Sequence, residues 1–143
     1  MDLDGNHTFV NPSAAKMLGY EVRELTGRNS HSTWHYLKSD GTKYPERECP
    51  IYSSLKEGVI HVNENEVFWR KDGSSFPVAY LSAPIMEGDK IKGAVVSFRD
   101  ISERKKLEER IRQYSKELER SNRDLDNFAS IAAHDLRAPL RVV

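Results

Sequence analysis

From Ile101 to Val143 the chain contains no glycine and a single proline, Pro139, whereas all eight glycines and the other five prolines precede Ile101. The chain therefore divides into a turn-rich part and an almost uninterrupted run of helix formers. Within that run, Leu107, Ile111, Tyr114, Leu118, Ser121, Leu125, Phe128 and Ala132 recur at alternating intervals of four and three residues. This is a heptad, with Ile111, Leu118, Leu125 and Ala132 at a and Leu107, Tyr114, Ser121 and Phe128 at d. Charged residues such as Glu108, Arg112, Glu117 and Arg120 lie between them. A stripe this narrow on so polar a helix asks for a partner helix, which implies a parallel homodimeric coiled coil roughly 60 Å long at about 1.5 Å per residue. The alternative is that the helix packs back on its own domain. Ser121 is the polar position in the seam, where the helices could shift.

The turn-rich part has a different pattern. Asp4-Gly5 followed by His7 to Val10 reads as a hairpin. Asn11-Pro12 is an N-cap with proline at the first helical position, and Gly19 is a stop for the short helix it opens. A second short helix is expected from Glu21 to Leu25. Residues 28–44 carry no clear pattern. Pro45 to Lys56 reads as a helix ending at Gly58. Three strand patterns follow, from Val59 to Arg70, from Phe76 to Ile85 and from Ile91 to Ile101, joined by turns at Lys71-Asp72-Gly73 and Glu87-Gly88-Asp89. This order gives an α+β fold rather than βαβ alternation.

The chain has 143 residues, 38% hydrophobic and 31% charged, which suits one modest core with an appendage. Its 22 basic and 22 acidic side chains cancel, so no general affinity for nucleic acid or anionic lipid follows. No apolar run could span a bilayer, and the N-terminus has no signal-peptide core. One cysteine, Cys49, excludes an internal disulfide and fits a reducing, cytoplasmic compartment, although a parent protein could be membrane-attached upstream.

Residues 1–101 resemble a PAS sensory domain with its PAC motif. The matching stretches are Asn11-Pro12-Ser13-Ala14-Ala15, Leu18-Gly19-Tyr20 with Leu25 and Gly27, Trp69 through Val78, and Phe98-Arg99-Asp100-Ile101-Ser102. Residues 128–143 open with a string, Phe128 to Leu140, that resembles the H-box of a histidine kinase dimerisation domain. Residues 102–127 would be the signalling coiled coil between them. The resemblance implies an antiparallel sheet of about five strands, its first strand clipped, flanked by short helices. It implies that His134 accepts phosphate from ATP and that Asp135 acts as its acid/base neighbour, with Arg137 as a charge partner. ATP binding would belong to a domain beyond this fragment, which should be inactive alone, and phosphate would pass to a response regulator receiver domain. Asp100 and Ser102 would carry the signal from sheet to helix, and they are also good helix caps. Pro139 lacks an N–H, so a kink is expected one turn past His134. His134 falls at heptad position c, away from the seam.

The ligand question stays open. Trp34, Tyr52, Trp69 and Tyr80 are candidates for lining a small-molecule pocket, although such aromatics also build plain cores. His31, His35 and Cys49 are legitimate metal or haem ligands, but their spacing matches no zinc signature, so loop histidines and a buried cysteine are expected, with no metal and no cofactor. Gly27-Arg28-Asn29-Ser30 resembles the flavin-binding light-sensor branch, with Ser30 where that branch has its adduct-forming cysteine. A second functional reading is a ligand- or cofactor-binding dimerisation module with no phosphotransfer role.

Overall fold

A computed structural model of the chain describes the backbone of residues 1–140 and the side chains of residues 1–137. Two compact units result, Met1–Glu103 and a second that begins at Arg104. The first contains α1 (Pro12–Leu18), α2 (Val22–Leu25), α3 (Ser30–Trp34), α4 (Pro50–Glu57) and strands β1 (His61–Trp69), β2 (Ser75–Glu87) and β3 (Lys90–Asp100). The strands form one antiparallel sheet in the order β1-β2-β3. The long helix α5 (Ser102–Leu140) follows.

Local chemistry accounts for the element ends. The Asn11 side chain accepts from the Ala14 N–H at 2.8 Å, and Pro12 occupies the first turn of α1. Gly19 and Gly58 close α1 and α4 in the left-handed conformation that favours glycine. Alternation in β2 sends Phe76, Val78, Tyr80 and Ser82 to the buried face. Ala94, Val96 and Phe98 of β3 face the same side. Phe68 of β1 is wholly buried, its ring centroid 4.3 Å from Trp34 and 5.2 Å from Phe98. The small helices thus cover one face of the sheet, with Leu18, Leu25, Trp34 and Ile51 completing the core.

Several expectations change. The sheet has three strands rather than about five. The hairpin expected at Asp4–Val10 does not form. Instead Asn6 makes an isolated bridge to Asn29, and Asp2 turns the chain by accepting from the N–H groups of Asp4 and Asn6. A side chain that caps local donors competes with strand pairing. The helix expected from Pro45 starts at Pro50, after a short 3-10 turn over Glu46–Glu48. Proline at the first helical position sets that start. The unassigned stretch 28–44 contains α3, capped by the Asn29 side chain, which accepts from the Ser32 N–H at 3.0 Å.

β1 carries a register shift between Asn63 and Glu66 in its pairing with β2. Such a bulge re-aims the side chains around it. Its consequence is that Glu66, a carboxylate in mid-strand, points to the helical layer.

Among the described residues of α5, the apolar heptad positions Leu107, Ile111, Tyr114, Leu118, Leu125 and Phe128 are all exposed. The kink expected at Pro139 falls where side chains lie outside the described residues. Among the described residues, no helix is long and apolar enough to cross a membrane.

Candidate functional site

Glu66 gathers three donors. The Tyr80 hydroxyl donates to Oε2 at 2.8 Å, the Tyr44 hydroxyl to Oε1 at 2.9 Å, and His35 Nε2 lies 2.8 Å from Oε2. A carboxylate is acceptor-only, so His35 presents an Nε2–H here. The other ring nitrogen of His35, Nδ1, is 3.1 Å from Cys49 Sγ. His31 stands in α3, four residues before His35 at its C-cap, and its Nε2 lies 2.9 Å from the Tyr44 carbonyl. One ligating atom from each of His31, His35 and Cys49 falls within 4.8 Å of the others.

Electrostatics bind this group together. Burial disfavours the imidazolium of His35, but its bonds to Cys49 and Glu66 outweigh that and raise its pKa to about 9. Burial also disfavours the Cys49 thiolate, and the two histidines beside it bring its pKa down to about 6. His31 is raised as well: burial opposes the charge, and Cys49 and the Tyr44 carbonyl overcome it. Glu66 is lowered despite burial because His35, Tyr80 and Tyr44 all stabilise its charge. The phenols of Tyr44 and Tyr80 are raised, first by burial and then by the carboxylate they contact. At neutral pH the arrangement favours an imidazolium between a thiolate and a carboxylate.

The three residues expected as loop histidines and an isolated buried cysteine are therefore one cluster. His31 lies in α3 and His35 is the residue that caps its C-terminal end, its N–H bonded to the His31 carbonyl, while Cys49 is the N-cap of α4. The aromatic candidates do not line a common pocket. Trp34 is buried and borders a groove of about 400 Å³ with Phe9, Val10, Val96 and Phe98. Tyr80 is committed to Glu66. Tyr52 borders a small cavity beside Cys49. Trp69 donates its Nε1–H to the Leu37 carbonyl at 3.0 Å. Neither Glu66 nor Tyr44 was legible as a partner of His35. The bulge interrupts alternation in β1, and Tyr44 lies in the stretch without a pattern.

At the end of β3, Asp100 Oδ1 accepts from the Ser102 N–H at 2.8 Å and its Oγ–H at 2.5 Å. Asp100 Oδ2 also meets Arg70 Nη2 at 3.3 Å, and Arg70 Nε–H donates to the Met17 carbonyl of α1 at 3.1 Å. Ser102, the first residue of α5, is thus tied through the side chains of Asp100 and Arg70, the residue after β1, to α1. On α5, His134 is 85% exposed, with its Nδ1 3.6 Å from Asp135 Oδ1.

The family described as PAS domain matches residues 1–103. The chain belongs to the PAS domain family. Among curated relatives, Two-component system protein A of Emericella nidulans is 29% identical over 141 residues, which is 98% of this chain and 19% of that protein. The signal transduction histidine-protein kinase AtoS of Escherichia coli K12 is 26% identical over 144 residues, all of this chain and 21% of that protein. The chain spans about one fifth of the length of these relatives. Solved structures share the PAS fold. The blue-light photoreceptor Aureochrome1 LOV in its dark structure gives a TM-score of 0.57 at 20% identity, covering 78% of both chains. An RNA-binding Light-Oxygen-Voltage receptor gives 0.58 at 22% identity, covering 79% of this chain and 30% of that one. The PAS domain of an HTR-like protein from Haloarcula marismortui gives 0.52 at 20% identity, covering 71% and 77%. The relatives match along α5 as well as the PAS unit, which supports a signalling role for the whole segment.

Proposed function

We propose that this chain is the sensory and signal-transmitting segment of a two-component histidine kinase, in which the PAS unit controls phosphorylation of His134 through a dimeric α5. The observation that carries this reading is His134 itself, an exposed imidazole on a continuous helix with a carboxylate one residue away. Exposure is what a phospho-acceptor needs, because the nucleotide arrives on another domain. Asp135 beside Nδ1 favours the tautomer with the proton on that nitrogen, leaving the Nε2 lone pair as nucleophile. Nε2 would attack the γ-phosphorus of ATP, the bond to the bridging oxygen would break, and ADP would leave. Phosphate then passes to the receiver domain of a response regulator.

Exposed apolar heptad positions on α5 support its pairing with a second copy. The Asp100–Ser102–Arg70 connection is where a change in the sheet would alter the helix, and a differential interaction of about 1–3 kcal/mol suffices to couple two such states. We assign this work to the cytoplasm. The test is the parent chain extended through its ATP-binding domain and given labelled ATP. Acid-labile label is expected in the wild type and lost in His134→Ala, whereas label that persists in the variant refutes the assignment. Asp135→Asn is expected to slow labelling without abolishing it.

The groove of about 400 Å³ favours a second reading, a PAS module that binds a small apolar ligand. Mass spectrometry of the purified chain under native conditions would reveal such a ligand.

A further inference from the structure

The cluster at α3 and α4 is not used by the phosphotransfer reading, and its hydrogen bonds have a specific order. The Tyr44 carbonyl can only accept, so His31 Nε2 carries a proton, and its remaining nitrogen, Nδ1, is buried and makes no hydrogen bond. The Glu66 carboxylate likewise holds the proton of His35 on Nε2, which leaves His35 Nδ1 beside Cys49 Sγ at 3.1 Å. Both imidazoles thus have the outer N–H held by an oxygen. Metal-binding histidines are oriented in this way, by a carbonyl or carboxylate on the nitrogen that does not ligate. A tetrahedral Zn²⁺ with bonds of about 2.0 Å to nitrogen and 2.3 Å to sulfur separates its ligand atoms by roughly 3.3–3.6 Å. The ligating atoms here lie within 4.8 Å of one another, so side-chain adjustments of less than about 1 Å would close the set. A cavity of about 10 Å³ touches His31, His35, Cys49, Ser30 and Glu46. That is room for about one water as a fourth ligand.

We propose that His31, His35 and Cys49 form a binding site for a thiophilic transition-metal ion, with Zn²⁺ as its first candidate, held by two imidazole nitrogens and a thiolate. Binding displaces to solvent the proton that lies between His35 Nδ1 and Cys49 Sγ, frees both atoms as ligands and forms the metal–nitrogen and metal–sulfur bonds without any change in oxidation state. The ion joins α3 to the start of α4, and through Glu66 it joins both to β1 and β2. This site stands independently of the role of His134.

The test uses the whole purified chain, stripped with chelator and titrated with Zn²⁺ and with Co²⁺ as a spectroscopic stand-in. One ion per chain is expected, with a thiolate-to-cobalt charge-transfer band that Zn²⁺ abolishes. Cys49→Ser is expected to lose the band, and His31→Gln to weaken binding at least tenfold. His31 is only half-buried, so His31→Gln keeps the test open if the cysteine variant fails to fold, its fold being checked by tryptophan fluorescence. Zn²⁺ is expected to raise the thermal midpoint of the wild type and not of either folded variant. A Co²⁺ complex without a thiolate band, or equal affinity in wild type and His31→Gln, would overturn the proposal and assign binding to other histidines such as His7, His61 or His134.

Discussion

Replacing Glu66 by leucine removes the acceptor on which three donors converge, while leaving a side chain of similar size. The Tyr80 hydroxyl is buried and loses its acceptor, as does His35 Nε2, whose side chain is 1% exposed. Each buried group left unsatisfied costs about 1–3 kcal/mol. Tyr44 is half-buried, and the Glu48 carbonyl at 3.5 Å offers its hydroxyl another acceptor, so its loss is about 0–1 kcal/mol. Against these stands relief from burying a carboxylate whose side chain is 16% exposed, worth about 1–2 kcal/mol. At the middle of each range, the net expectation for Glu66→Leu is a loss of about 3 kcal/mol. Glu66→Gln keeps an acceptor for His35 and Tyr80 and turns Tyr44 round, so it forfeits only charge assistance, about 1–2 kcal/mol. Urea unfolding at neutral pH with chelator present, followed by the fluorescence of Trp34 and Trp69, measures both. Trp34 suits this because its ring lies 6.0 Å from that of His35 inside the same core. The order wild type, then Gln, then Leu is expected at unchanged m-value. A loss below about 0.5 kcal/mol for Glu66→Leu, or equal losses for both variants, would refute the hydrogen-bond account.

Three further outcomes follow from other parts of the fold. Asp100→Ala removes the acceptor for both Ser102 donors and the ion pair with Arg70, and is expected to destabilise by about 1–2 kcal/mol, with fraying of the first turn of α5 visible by hydrogen exchange. His7 is held neutral: burial lowers its pKa, its Nδ1–H donates to the Arg28 carbonyl at 2.7 Å, and its Nε2 accepts from Trp34 Nε1–H at 2.9 Å. Because the folded pKa lies below the unfolded one, protons favour the unfolded chain, and stability present above about pH 6.5 is lost as pH falls below it. Urea midpoints should therefore fall more steeply with acid in the wild type than in His7→Gln, a difference in which the other histidines cancel. Finally, Leu118→Glu combined with Leu125→Glu places charges in the seam of α5. Sedimentation at micromolar concentration is expected to show a dimer for the wild type and a monomer for the double variant, and a monomeric wild type would count against the coiled coil.

The heptad on α5, the caps at Asn11 and Gly19, the three-strand meander and the PAS identity were legible in the sequence, because each rests on local periodicity or on turn chemistry within a few residues. The helical setting of His134 was legible for the same reason, because it lies in a contiguous string of helix formers. The cluster of His31, His35, Cys49, Tyr44 and Glu66 was not. Its members come from α3, the start of α4, the loop between them and β1, and each residue alone is an ordinary side chain. Tertiary packing brought them together by laying the small helices over the sheet. The bulge before Glu66 then turned a mid-strand carboxylate toward the helices, where burial and convergent hydrogen bonds make these five side chains one electrostatic unit. No residue spacing encodes that convergence, since it depends on the register of β1 against β2 and on where α3 sits over the sheet.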